Sequence, residues 1–139
     1  MAECIKYQPA YFGFICGLEC TNKPRGEQLE TAKKVLLEKF FVVGIIEEFS
    51  LSVALFEKML PHYFSGASYA LHSSFVQERV EMAESLNKQE ISDSNKAKLK
   101  NGPLKLEYEF YDFAKKLFQA RVDAYKIKDA NPVVAKVNF

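Results

Sequence analysis

Two histidines, three cysteines and one pair of adjacent glutamates are the residues of this chain best suited to do chemistry. Histidine titrates near neutral pH and can act as acid, base or metal ligand. His62 follows Pro61 at the end of a helical pattern, and His72 lies further along a polar stretch. Neither stands near a cysteine or an acidic cluster at metal-ligand spacing, so no metal is expected and both read as surface or boundary residues. Glu47 and Glu48 could share acid–base work. Acids at the start of a helix also complement its dipole, and that simpler reading fits their place. The cysteines are odd in number: Cys4, Cys16 and Cys20. Cys16-Gly-Leu-Glu-Cys20 is too wide for the CxxC redox or zinc pattern. A short loop could bring that pair within disulfide reach, about 5.5–6 Å between α-carbons. Three reduced thiols are the alternative. The sequence contains no GxxxxGK, GxGxxG, HExxH or GxSxG motif. Gly13-Phe-Ile-Cys-Gly17 is hydrophobic and is no phosphate-binding loop.

Composition narrows the class. The chain has 139 residues, 48% apolar and 27% charged, which is a globular composition. Twelve Phe and seven Tyr with no Trp promise an aromatic-rich core. No apolar run approaches the roughly 20 residues of a membrane helix. The start, Met1 to Gly17, lacks a charged segment followed by a long apolar one, so it carries no visible targeting signal. A net charge of +1 argues against nucleic-acid binding. The charge is uneven, −3 over residues 1–90 and +4 over 91–139. Arginine occurs only at Arg25, Arg79 and Arg121, so few bidentate anion clamps can exist.

The elements that must position these residues follow from apolar spacing. Pro9, Gly13, Gly17 and Pro24 punctuate a loop-rich segment 1–25 crowded with Tyr7, Tyr11, Phe12 and Phe14. Leu29, Ala32, Leu36 and Phe40 predict a helix from Arg25. Phe41-Val42-Val43-Gly44-Ile45-Ile46 is a continuous apolar run that predicts a strand buried on both faces, the best-buried segment of the chain. Phe49, Val53, Phe56 and Leu60 predict a helix from about Glu48, stopped by Pro61. Helix–strand–helix over 26–60 is α/β syntax. Segment 62–91 reads as a loop, with Arg79, Ser85 and Lys88 as candidate anion contacts. Ser92 caps a short lysine-rich helix, and Pro103 begins the longest one, so 92–126 is helical. A tail, 127–139, follows, with a second short strand possible in it. One or two strands cannot make a parallel sheet, so the chain reads as part of an α/β domain.

Five collinear strings resemble the uronyl 2-O-sulfotransferase family, which includes the heparan sulfate 2-O-sulfotransferases. They are Tyr11-Phe12 with Cys16-Gly17 and Cys20; Glu27 through Ala32-Lys33; Phe41-Val42-Val43-Gly44-Ile45 with Glu47-Glu48; Leu60-Pro61-His62-Tyr63-Phe64-Ser65-Gly66; and Glu107-Tyr108-Glu109-Phe110-Tyr111. The resemblance covers about residues 7–126. It implies the C-terminal part of a P-loop-like sulfotransferase α/β fold, mostly helical in this chain. It implies transfer of a sulfuryl group from phosphoadenosine phosphosulfate (PAPS) to the 2-hydroxyl of a uronic acid in heparan or dermatan/chondroitin sulfate. A Golgi-lumenal, membrane-anchored protein would carry that activity. The family's phosphosulfate loop and catalytic histidine have no counterpart here, so the chain alone is expected to be inactive. By the same resemblance Cys16 and Cys20 form a disulfide and Cys4 stays unpaired. Lys88 and Ser85 fall on donor-contacting positions of a basic loop, and Arg79 lies near a substrate-contacting one. The competing expectation is a non-enzymatic helical module that binds a partner or self-associates through an exposed apolar face.

Overall fold

A computed structural model describes residues 11–20, 22–74, 76 and 91–128. Arg79, Ser85, Lys88, Cys4 and the tail from 129 onward lie outside the described residues. The described chain is mostly helical and divides into two compact units.

The first unit comprises 1–41 and 89–117. Its helices are α1 (Tyr11–Cys16), α2 (Arg25–Lys39), α6 (Asp93–Asn101) and the first part of α7 (Lys105–Ala124). Pro24 sets the entry to α2, Glu27 lies in its first turn and Lys39 in its last, each sign where the helix dipole favours it. Leu29, Ala32 and Leu36 form its buried stripe. Phe12 is fully buried with Leu29 and Ala32, and Ile15, Cys16, Leu106 and Phe110 pack around them. Ser92 caps α6, its hydroxyl accepting from the Asn95 N–H. The Gly- and Pro-punctuated segment thus contains a one-and-a-half-turn helix, α1. Gly17 closes it in the left-handed region at φ 75°, which glycine adopts without strain.

The second unit comprises 42–88 and 118–139. Its main helix is α3 (Phe49–Met59), preceded by a 3-10 turn at Ile46–Glu48. Two short helices follow within the stretch that reads as loop, α4 (Pro61–Phe64) and α5 (Ala67–Leu71). Pro61 occupies the first turn of α4, where its missing N–H costs nothing. The Phe56 and Phe64 rings meet at 5.4 Å between centroids, joining α3 to α4. Ala114, Phe118 and Val122 are the buried stripe of α7, four residues apart as a helix requires.

The expected strand at 41–46 is corrected. No strand occurs among the described residues. The segment is extended at Phe40 (φ −91°, ψ 115°) and at Ile45 (φ −118°, ψ 127°), but Phe41 is 63% and Ile46 81% exposed. Only Ile45 is fully buried within it. A strand exists through its pairing, and no described segment pairs with this one. The apolar run encodes the extended conformation, while cover for both faces must come from neighbours.

Gly44 is where this segment approaches α3. A Cβ built there would lie 2.7 Å from the Phe56 ring tip and 3.1 Å from the Ser52 Cβ. Gly44→Ala should therefore destabilise the second unit by about 1–3 kcal/mol through overpacking. A urea denaturation midpoint unchanged by that substitution would contradict the close approach.

Candidate functional site

Charged side chains converge in the first unit across the contact between α2 and α7. Arg25 Nη2 donates to Glu107 Oε1, and the guanidinium carbon lies 5.8 Å from the Phe12 ring centre. Lys33 Nζ donates to Glu109 Oε1 at 2.6 Å and to Glu30 Oε1 at 2.8 Å. The Lys33 ammonium is held above its ordinary value, first by the bond to Glu109 and then by that to Glu30. Glu109 is held below its ordinary value by the same bond. Lys100 Nζ sits 5.3 Å from the Tyr108 ring centre, joining α6 to α7. These groups neutralise one another. They clamp two helices.

Cys16 and Cys20 are bonded in a disulfide, with 5.8 Å between their α-carbons. Cys20 is fully buried and Cys16 packs on the Phe12 cluster, so the bridge ties the end of α1 to the turn that leads toward α2. Spacing alone left this pairing open; the resemblance pointed to it.

In the second unit two side chains hold backbone. The Ser52 hydroxyl accepts from the Ile45 N–H at 2.9 Å and donates to the Ile45 carbonyl at 3.0 Å. Glu57 accepts from Gly66 N–H at 2.7 Å and from Ser68 N–H at 3.1 Å. Its carboxyl is held below the ordinary range by the Ser68 side chain first and then by these backbone donors. Glu47 and Glu48 are exposed before α3, the dipole-complementing place. His62 and His72 are exposed on α4 and after α5. Among the described residues no group of three or more His, Cys, Asp or Glu could hold a metal. No helix among them is long and apolar enough to cross a membrane.

The predicted donor- and substrate-contacting residues Arg79, Ser85 and Lys88 lie outside the described residues. The residues that local sequence reasoning missed are Arg25, Lys33, Glu107 and Glu109, whose partners are 76 and 82 positions away.

What decides the family is comparison along the chain. Over 130 residues it is 34% identical to heparan sulfate 2-O-sulfotransferase 1 of Xenopus laevis, covering 91% of this chain. It is 31% identical to the Homo sapiens protein of the same name over the same length. The chain belongs to the uronyl 2-O-sulfotransferase family. Human uronyl 2-sulfotransferase is 29% identical over 106 residues, covering 76% of this chain and 26% of that protein. This member spans 36% of the length of the heparan sulfate relatives it matches. No family model matches it, and no solved structure does.

The pH dependence of folding follows from the held groups. Glu57 and Glu109 titrate below the 4.5 of an unperturbed glutamate, so their contribution is present above that pH. It is lost as pH falls through the folded values. Lys33 acts in the opposite sense: its contribution is complete below 10.5 and lost as pH rises through its raised value. Thermal melting should therefore weaken on acidification below 4.5. Glu57→Gln should flatten that acid limb; an unaltered limb in the variant would dismiss the tie to Gly66 and Ser68.

Proposed function

We propose that this chain is the C-terminal portion of a PAPS-dependent glycosaminoglycan uronyl 2-O-sulfotransferase-like protein. One observation carries the reading: the match to heparan sulfate 2-O-sulfotransferase 1 runs through 91% of the chain, and uronyl 2-sulfotransferase matches as well. The reaction moves a sulfuryl group from the phosphosulfate of PAPS to a uronic acid 2-hydroxyl. The S–O bond to the donor phosphate breaks, one forms to the 2-oxygen, and a base takes the hydroxyl proton. In this reading Lys88 neutralises donor phosphate, Ser85 hydrogen-bonds to it, and Arg79 serves the uronic acid chain. The base and the phosphosulfate loop come from outside this chain. A Golgi-lumenal, membrane-anchored setting belongs to the same proposal. So does a heparan or dermatan/chondroitin sulfate acceptor.

The described residues fit a supporting role. Arg25, Lys33, Glu107 and Glu109 pair across two helices, and His62 and His72 are exposed. Catalysis here needs both a base and oriented anion contacts. The purified 139-residue chain should transfer no sulfate from labelled PAPS to 2-O-desulfated heparan or to dermatan. A chimera in which the chain replaces the matched third of the Xenopus relative should transfer it. Lys88→Ala in that chimera should lower the rate by of order 10²-fold, the scale of one lost anion contact. Transfer by the isolated chain would overturn the division of labour. A folded, inactive chimera would overturn the functional reading itself.

A further inference from the structure

We infer that Asn101-Gly102, at the turn between α6 and α7, is a site of spontaneous covalent modification. Asn101 deamidates through a cyclic imide to aspartate and isoaspartate, and the isoaspartyl product releases α6 from α7. Nothing in this site depends on the sulfotransferase reading.

The turn dictates the residue that makes Asn101 labile. Gly102 caps α6 at φ −116° and ψ −117°. A Cβ built on it would lie 2.7 Å from the Lys98 carbonyl oxygen, a backbone atom that cannot swing aside. The close approach of the chain to itself therefore requires glycine at 102. A glycine after asparagine leaves the linking nitrogen without the side-chain screen that another residue would put beside it. The asparagine carboxamide lies one methylene from its own backbone, within reach of that nitrogen. Asn101 and Gly102 are both exposed, and Asn101 is the last residue of α6.

Hydrogen bonding leaves the attacking group available. The Leu99 carbonyl accepts from two donors, the Gly102 N–H at 3.3 Å and the Leu104 N–H at 3.0 Å. The Gly102 carbonyl accepts from the Lys105 N–H at 3.2 Å. Of these donors the Gly102 N–H is the most weakly held, just beyond the usual N–H···O range, and it shares its acceptor. Fraying of the last helical turn frees it, while the Leu104 bond keeps the turn closed.

In the reaction the Gly102 nitrogen bonds to Asn101 Cγ and gives up its proton. The side-chain nitrogen leaves as ammonia, and a cyclic imide remains. Water then opens the imide. Opening at Cγ gives aspartate. Opening at the main-chain carbonyl gives isoaspartate, whose backbone runs through the side chain and is one methylene longer. Either product puts a carboxylate at the C-terminus of α6, where the helix dipole disfavours it. The longer backbone also moves Gly102 and Leu104 away from the Leu99 carbonyl. α6 fully buries none of its residues, so its attachment to α7 depends on this turn and on the Lys100 ammonium 5.3 Å from the Tyr108 ring centre.

Ageing the full 139-residue chain in mildly alkaline buffer and mapping its peptides tests the site. Residue 101 should gain the mass of an amide-to-acid change and divide into two products, the isoaspartyl one identified by methylation in vitro with an isoaspartyl methyltransferase. Its rate should stay within about tenfold of that in a short peptide of the same sequence, as fraying of one helical turn allows. Asn95, in the first turn of the same helix and followed by Lys96, should convert several-fold more slowly. Asn101→Gln should remove the modification with circular dichroism unchanged, because the longer side chain cannot close the same ring. Conversion no faster at Asn101 than at Asn95 overturns the site. Amide exchange by NMR tests the consequence. In the isoaspartyl-enriched chain the Leu104 amide should exchange about tenfold faster or more, with the Ala114 amide of α7 unchanged. An unchanged Leu104 rate there, or an equal loss of protection in the aged Asn101→Gln chain, overturns the release of α6.

Discussion

Burial of the Phe12 ring is the constraint that organises the first unit. The ring sits on a helix of six residues, too short to hold itself by backbone hydrogen bonds. It is fully buried only because several independent attachments meet there. Leu29 and Ala32 of α2 form one wall, and Phe110 of α7 meets it edge-on at 6.3 Å between centroids. Arg25 covers the ring while pairing with Glu107, so one side chain serves both an aromatic and an ionic contact. The disulfide from Cys16 to Cys20 then restrains the chain just after the helix. Remove the ring, and each of these contacts loses its common partner.

The second unit is held differently. Its ties are polar side chains that stand in for missing backbone partners. Buried backbone groups must be satisfied. Ser52 satisfies Ile45, and Glu57 satisfies the two N–H groups that begin α5. Apolar packing adds Leu55, fully buried on α3, and the Phe56–Phe64 ring contact. At the break before α5 the carboxylate of Glu57 supplies the acceptor, and at the break after α3 the Leu60 N–H goes to the Phe56 carbonyl. The ordinary glutamate at 57 can do this since α3 ends two residues later, within reach of the next turn.

Long periodic elements were legible in the sequence, and elements defined by tertiary partners were not. The stripe Leu29, Ala32 and Leu36 announces α2, and Ser92 announces α6, because both signals are local. The stripe Ala114, Phe118 and Val122 announces α7 for the same reason. By contrast α1 is hidden by Gly13 and by aromatic crowding, since its stability lies in packing and not in propensity. The run 41–46 reads as a strand because its composition encodes extension, yet strandedness is a property of two segments. The roles assigned to the candidate site residues rest on family resemblance, and those residues lie outside the described ones. Arg79, Ser85 and Lys88 carry no local pattern of their own, while Cys16 and Cys20 had a spacing that allowed a bond without requiring it.

The ion pairs between α2 and α7 say how those helices meet. At 3.6 residues per turn, Glu107 and Glu109 lie about 80° to either side of the stripe made by Leu106 and Phe110. Both acids therefore flank the apolar contact without entering it. Their partners on α2, Arg25 and Lys33, are eight residues apart, about 12 Å along the axis, whereas the two acids are only about 3 Å apart along theirs. Parallel or antiparallel helices would match equal axial separations. The unequal ones are matched by the reach of the long Arg25, Lys33 and glutamate side chains together with an oblique approach of α7 to α2. Leu106 and Phe110 pack against the cluster of Phe12, Leu29 and Ala32, and two charge pairs flank that contact. The overall charge asymmetry of the chain does not drive this arrangement. The acids come from the half with net charge +4 and the bases from the half with −3. Local placement beside an apolar seam outweighs net charge, as expected where screening leaves only close pairs effective.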